Sequence, residues 1–293
     1  EKSGVIEEVF DVAYKWLGRI PGGLAVATVV ASTVLAAMVG VIGAAVVTMA
    51  LVALPSMLRR GYSPVLAVGT VMAGGTLGIL IPPSVLAIVY GLVANQSVGE
   101  LYLGSVFPGL VLSGLYILFS VGYALLNPKA APRLSPEETP TWSERWRALR
   151  SIWSPLVLIF LVLGTIFLGL AAPTEAAAIG AFGAMVVAAI HRRLSWTILR
   201  LALEQTAKAT AMVMWIVFGA NAFVGFYIAQ GGDRYVSELL LGTGLSPWGI
   251  LLLMQGILIV LGMFLDWVGI LLLAVPVFVP IIRDLGFDPL WFG

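Results

Sequence analysis

The chain has 293 residues, 60% of them hydrophobic and 11% charged, with a mean hydropathy of +1.04; a soluble domain, whose wetted surface needs far more charge, is excluded. A formal net charge of +1 supplies no basic patch for nucleic acid. With no cysteine, and its one histidine (His191) beside Arg192 and Arg193, the chain offers no disulfide, thiolate, His-based metal cluster or catalytic triad.

Residues 1–21 open with Glu7, Glu8, Asp11 and Lys15 interleaved with Ile6, Val9, Phe10, Tyr14 and Trp16. That spacing predicts an amphipathic arm along the membrane surface. The start at Glu1, without Met or signal peptide, and the stop at Gly293 just as a new apolar segment begins read as part of a longer polypeptide. No charge lies between Arg19 and Arg59, yet the apolar run Leu24–Leu54 has only 31 residues. Two crossings and a turn need about 44. A re-entrant hairpin over 22–58 is therefore expected, with its tip near Gly40-Val41-Ile42-Gly43.

A span over 64–93 follows, interrupted by Gly74-Gly75-Thr76-Leu77-Gly78 and then Pro82-Pro83-Ser84. The prolines lack N–H groups, Pro83 biases Pro82 away from the helical region, and the glycines favour non-helical backbone before them. A helix broken at mid-membrane is expected, a device that secondary transporters use to build ion and substrate sites.

Residues 101–208 predict scaffold helices at about 104–126, 152–171 and 174–190, with a polar cytoplasmic linker over 127–150. In that linker and just after it, Trp142, Trp146 and Trp153 with Arg145, Arg147 and Arg150 suggest a second surface arm. Glu175, after Pro173-Thr174, fits compensation of a helix N-terminus, and Lys208 fits an interfacial snorkeller.

Residues 209–293 predict a span over 209–230, a short loop carrying Asp233, Arg234 and Glu238, and a second hairpin over about 246–283. The apolar run Ser246–Ile282 has 37 residues with one charge, Asp266, near its middle. Ser246-Pro247 is an N-cap followed by a proline at the first helical position. Asp266 fits either a cation ligand or proton-sensitive gate at the tip, or an N-cap for the returning arm. Asn221 fits a ligand or an interhelical hydrogen bond.

Placing the linker and the His191 cluster in the cytoplasm puts Glu100, Glu175 and Asp233 outside. Only Arg234 and Arg283 of the 16 Lys+Arg then lie outside, as the positive-inside rule requires. A shift of 225 residues lays Pro55 on Pro280, Gly61 on Gly286, Tyr62 on Phe287, Ser63 on Asp288, Pro64 on Pro289 and Val41 on Asp266. With hairpins entering from opposite faces, the repeat is inverted, an architecture of alternating-access carriers. The fold class expected is thus an all-α polytopic membrane protein with two re-entrant hairpins and broken helices.

The segments Gly22-Gly23-Leu24-Ala25, Ala73–Ser84 (AGGTLGILIPPS), Phe107-Pro108-Gly109, Pro173-Thr174-Glu175-Ala176 and Gly286-Phe287-Asp288-Pro289 resemble the large membrane (permease, DctM-like) subunit of tripartite ATP-independent periplasmic (TRAP) transporters. The resemblance covers essentially the whole chain. It implies a sodium-driven, elevator-type carrier in the bacterial inner membrane. Its implied partners are a periplasmic substrate-binding protein (DctP-like) and a small four-helix membrane subunit (DctQ-like). Carried over, sodium falls on Gly40, Val41, Gly43, Gly74, Gly75, Thr76, Gly78 and Pro82, and at a second site on Asn221 and Asp266. Substrate falls on Gly43, Ala44, Thr76, Ser84, Asn221 and Asp266. Many members carry serines at the first tip; here Gly-Val-Ile-Gly-Ala leaves backbone carbonyls to dominate. That tip looks closer to members grouped with 2-oxoacid, lactate or mannitol/chloroaromatic uptake.

The implied function is sodium-coupled uptake of an organic acid. Three rivals stand beside it. A stand-alone dicarboxylate–sodium symporter shares the paired hairpins. An intramembrane enzyme lacks an acid–base pair, because Asp266 alone lies deep in an apolar stretch. A channel would reveal itself by single-channel current.

Overall fold

The computed structural model describes residues 5–133 and 140–293, which are helical and contain no strand. The helices are α1 (Val5–Leu17), α2 (Gly23–Val39), α3 (Ile42–Arg59), α4 (Pro64–Leu80), α5 (Val85–Ala94), α6 (Val98–Leu126) and α7 (Trp142–Leu149). After a 3-10 turn (Arg150–Ile152) come α8 (Trp153–Phe167), α9 (Pro173–Ile190), α10 (Trp196–Ala229), α11 (Gly232–Leu241), α12 (Pro247–Gly262), α13 (Trp267–Asp284) and α14 (Pro289–Phe292). Among the described residues six helical stretches are long and apolar enough to cross a membrane, with Trp142–Phe167 taken as one of them, or up to seven if α4 and α5 count as one broken span. The all-α polytopic class is as expected.

The chain packs as two units, Glu1–Val85 with Tyr102–Ser195, and Leu86–Leu101 with Trp196–Gly293. In the first, α2 and α3 form the expected hairpin and both pack on α4. The core joins Leu24, Ala27, Ala31 and Leu35 of α2 to Met49, Ala53 and Met57 of α3 and Leu66 and Val71 of α4. Its base is fixed by Tyr62, 3% exposed, whose hydroxyl accepts the N–H of Leu24 at 3.2 Å. That N–H belongs to the first turn of α2 and has no intrahelical acceptor. Burial pushes the Tyr62 phenol above its ordinary 10.0, so it stays protonated throughout the neutral range. Tyr62→Phe is expected to cost about 1–3 kcal/mol, the penalty of an orphaned buried donor, read as a lower melting temperature in detergent.

The two segments expected as arms are helical, α1 and α7. Trp16 on α1 meets Trp142 and Trp146 of α7 edge to face, at 5.9 Å and 5.8 Å. Thr141 and Glu144 close a reciprocal cap at the start of α7. On α9 the Glu175 carboxylate accepts the Ala172 N–H at 2.9 Å, as a helix-start acid should.

The second unit holds the second hairpin, α12 and α13, with Met254, Ile281 and Ile282 at its core. Gly249 N–H donates to Ser246 Oγ at 3.3 Å, so the predicted N-cap forms. Two expectations need correction. The helix predicted to begin at 209 is the end of the 34-residue α10, which absorbs the amphipathic stretch before it. Lys208 is exposed on that helix. The loop carrying Arg234 and Glu238 is instead α11, amphipathic and closed by a glycine at each end.

The 225-residue shift holds in the backbone. Helix α3 and helix α13 have 18 residues each and begin at residues 42 and 267. Gly61 and Gly286 both take left-handed φ, +77° and +81°, which favours glycine. Gly61 N–H donates to Leu58 and Gly286 N–H to Arg283, while Tyr62 N–H donates to Met57 and Phe287 N–H to Ile282. Each of these four bonds maps onto its counterpart under the same shift.

Candidate functional site

The first site is built where the tip of the first hairpin meets the break between α4 and α5. Only Gly40 and Val41 form the turn; Ile42, Gly43 and Ala44 already belong to α3. Gly40 has φ +66°, and a Cβ there would stand 2.5 Å from the carbonyl oxygen of Pro83. Its own carbonyl accepts the N–H of Val85 at 3.4 Å, a long bond. Val41 is extended and holds its carbonyl 3.4 Å from where a Cβ on Gly78 would lie. The structure thus brings together Gly40, Val41, Gly78 and the Pro82–Pro83–Ser84 break, where Pro82–Pro83 is a cis peptide bond.

The break lies further along than expected. Gly74, Gly75, Thr76 and Gly78 are helical residues of α4, and the interruption is confined to 81–84. Two prolines suffice for it, because they remove consecutive N–H donors and the ring of the second excludes helical backbone at the first.

The glycines serve contact instead. A Cβ on Gly74 would lie 2.4 Å from Ser32 Oγ on α2, and one on Gly75 would lie 2.1 Å from Val46 Cγ2 on α3. One glycine receives each arm of the hairpin. Small residues permit this close backbone approach inside membranes.

Ser32 was missed by sequence reasoning. It is fully buried, and its hydroxyl has no hydrogen-bond partner among the described residues. A signal existed: Thr28 and Ser32 lie one turn apart in an arm whose one other hydroxyl is Thr33, and both are fully buried.

Other predicted residues take different parts. Thr76 Oγ1 donates to Ala73 O at 2.7 Å and lies 3.2 Å from Tyr116 Oη of α6, so its hydroxyl is engaged with α6. Thr33 and Ser113 pair similarly at 2.7 Å. Together they bond α2 and α4 to α6, beside an apolar cavity of ≈ 570 Å³ lined by Val29, Thr70, Ala73 and Phe119. Ser84 is 1% exposed; its Oγ donates to Ile79 O, and its carbonyl accepts from Tyr102 Oη at 3.3 Å. Gly43 has nothing within 4 Å of a built Cβ, and Ala44 is half-buried.

In the second unit the tip spans Met263–Asp266. Asp266 is exposed rather than deeply buried, and its carboxylate accepts the Val268 N–H at 3.3 Å, capping α13. Asn221 is exposed on α10, and no hydrogen bond joins it to Asp266 among the described residues.

The polar atoms at this junction are backbone carbonyls, of which Gly40 O accepts the Val85 N–H and Val41 O the Ala45 N–H. No group of three or more His, Cys, Asp or Glu that could hold a metal ion occurs among the described residues. Hard monovalent cations accept such oxygens; zinc and copper sites are built from imidazole and thiolate.

The family model for the tripartite ATP-independent periplasmic transporter, DctM component, matches residues 1–293. The C4-dicarboxylate TRAP transporter large permease protein DctM of Pseudomonas aeruginosa is 35% identical over 291 residues, 99% of this chain and 67% of that protein. The sialic acid TRAP transporter large permease protein SiaM of Vibrio cholerae is 30% identical over 99% of this chain and 67% of its own length. The isethionate TRAP transporter permease protein DctMQ of Oleidesulfovibrio alaskensis is 29% identical over 99% of this chain and 45% of its own length.

Proposed function

Because the chain belongs to the DctM component family of tripartite ATP-independent periplasmic transporters, we propose that it imports an organic acid in symport with sodium. It is a transporter subunit rather than an enzyme, seated in the bacterial inner membrane. It works with a small membrane subunit and a periplasmic substrate-binding protein. Membership sets aside the stand-alone symporter.

One observation supports the sodium reading above the others: the carbonyls of Gly40, Val41 and Pro83 gather around glycines at a hairpin tip and a proline break. Oxygen donors of that kind replace the hydration shell of a hard cation without needing a side-chain charge. Of the proposed sodium residues, Gly40, Val41, Gly78 and Pro82 lie at this junction. Gly74 and Gly75 set its spacing from α4. Asp266 and Asn221 remain the proposed residues of a second site.

Charge supports the organic-acid reading. The relatives named above are described for C4-dicarboxylate, sialic acid and isethionate, all anions at neutral pH. The partial positive ends of α3, α5 and α13 begin at the tips and the break, where the helix dipole favours a carboxylate. Elevator motion would carry residues 22–100 and 209–293 against a scaffold of 101–208.

Uptake of labelled organic acids into proteoliposomes holding all three components should require both an inward sodium gradient and loaded binding protein. Uptake that persists undiminished without sodium ends the coupling claim.

A further inference from the structure

We propose that Arg145 and the tryptophan cluster around it form a binding site for the phosphate of an anionic phospholipid. Arg145 is 9% exposed, and its Nε is buried with no hydrogen-bond partner. Its guanidinium lies over the Trp142 ring, 5.4 Å from the centroid. No salt bridge reaches it among the described residues.

Among the described residues, none of the carboxylates on α1 and α7 pairs with it. Asp11 pairs with Lys15 at 2.5 Å, Glu8 faces His191 at 3.9 Å, and Glu144 accepts the N–H and hydroxyl of Thr141 at 2.7 Å and 3.0 Å. Glu7 is exposed and lies about 13 Å along α1 from Trp16, at 1.5 Å per residue.

A buried cation without a counter-ion is costly, so an external anion completes the site. Its surroundings select a lipid. Trp142 and Trp146 are 65% and 60% exposed, a ring pair suited to the headgroup level. Trp16 is held in the cluster by donating its indole N–H to Arg145 O at 3.3 Å. Arg147 and Arg150 on the same arm are exposed and add attraction for anionic headgroups. Beyond the 3-10 turn the apolar α8 begins, along which acyl chains can lie.

The test is native mass spectrometry of the full chain, with and without its small subunit, released from nanodiscs containing phosphatidylglycerol and phosphatidylethanolamine with identical acyl chains. Wild type should retain phosphatidylglycerol preferentially. Arg145→Gln should weaken that preference by well over the roughly fivefold typical of one interfacial arginine, while Arg147→Gln should cost no more than that factor. Because Arg145 is buried, Trp142→Leu, an exposed change, provides a second variant and should also reduce retention. Equal retention by wild type, Arg145→Gln and Trp142→Leu overturns the proposal. So does a result in which inorganic phosphate binds at Arg145 but phosphatidylglycerol does not. Loss of the small subunit from Arg145→Gln with unchanged lipid retention would assign the counter-ion to a protein carboxylate, and likewise overturn it.

Discussion

Gly40→Ala is expected to cut uptake at least about tenfold while the protein still inserts and purifies. At φ +66° an alanine carries left-handed strain, about 1–3 kcal/mol at constrained sites. Its methyl group would also stand 2.5 Å from Pro83 O, so the tip or the break must shift. About 1.4 kcal/mol of lost site geometry already corresponds to tenfold. The arms of the hairpin are untouched, which is why insertion should survive. Gly43→Ala is the matched control: it is helical, φ is ordinary, and nothing lies within 4 Å. An added methyl there should be neutral or stabilise α3 by up to about 1 kcal/mol. Uptake assays on both variants, normalised to protein in the proteoliposome, decide the matter. Normal uptake by Gly40→Ala, or equal loss in Gly43→Ala, would show that the tip–break contact does not govern transport.

Asp266 separates a capping role from a charge role. Its carboxylate accepts Val268 N–H, and asparagine can accept the same bond, so Asp266→Asn should melt close to wild type in detergent. Asp266→Ala removes the cap and should lose about 0.5–2 kcal/mol. If the charge also holds sodium, both variants should raise the sodium concentration for half-maximal uptake by about tenfold or more, the size of one charge-assisted contact. An Asp266→Asn protein with unaltered sodium dependence would leave Asp266 as a cap alone. The contrast with the first tip sharpens the test, since Val41 at the equivalent position has no side-chain cap.

Much of the architecture was readable because membrane segments obey simple constraints of length and charge. The 31-residue apolar run Leu24–Leu54 between Arg19 and Arg59 led to a hairpin, and the repeat pattern Gly61-Tyr62-Ser63-Pro64 against Gly286-Phe287-Asp288-Pro289 carried its backbone geometry with it. The glycines of α4 were misplaced for a physical reason. Glycine both loosens a helix and lets neighbours approach, and only the partners Ser32 and Val46 reveal which role applies. Helix α11 escaped notice because three charges within six residues look like a loop until its apolar face, including the buried Leu240, finds α13. The exposure of Asp266 could not be read from hydropathy, which reports the stretch around a residue and not the direction of one side chain.

Ser32 and Val46 against Gly74 and Gly75 have a mechanical consequence. Neither arm of the first hairpin can swing away from its partner without first withdrawing a side-chain tooth from the bare groove of α4, and close-packed interiors resist such half-steps. The smallest stiff piece is therefore a three-helix lever, α2, α3 and α4 together. Any displacement of this region is transmitted undamped to its free end, where Gly40 leans on Pro83.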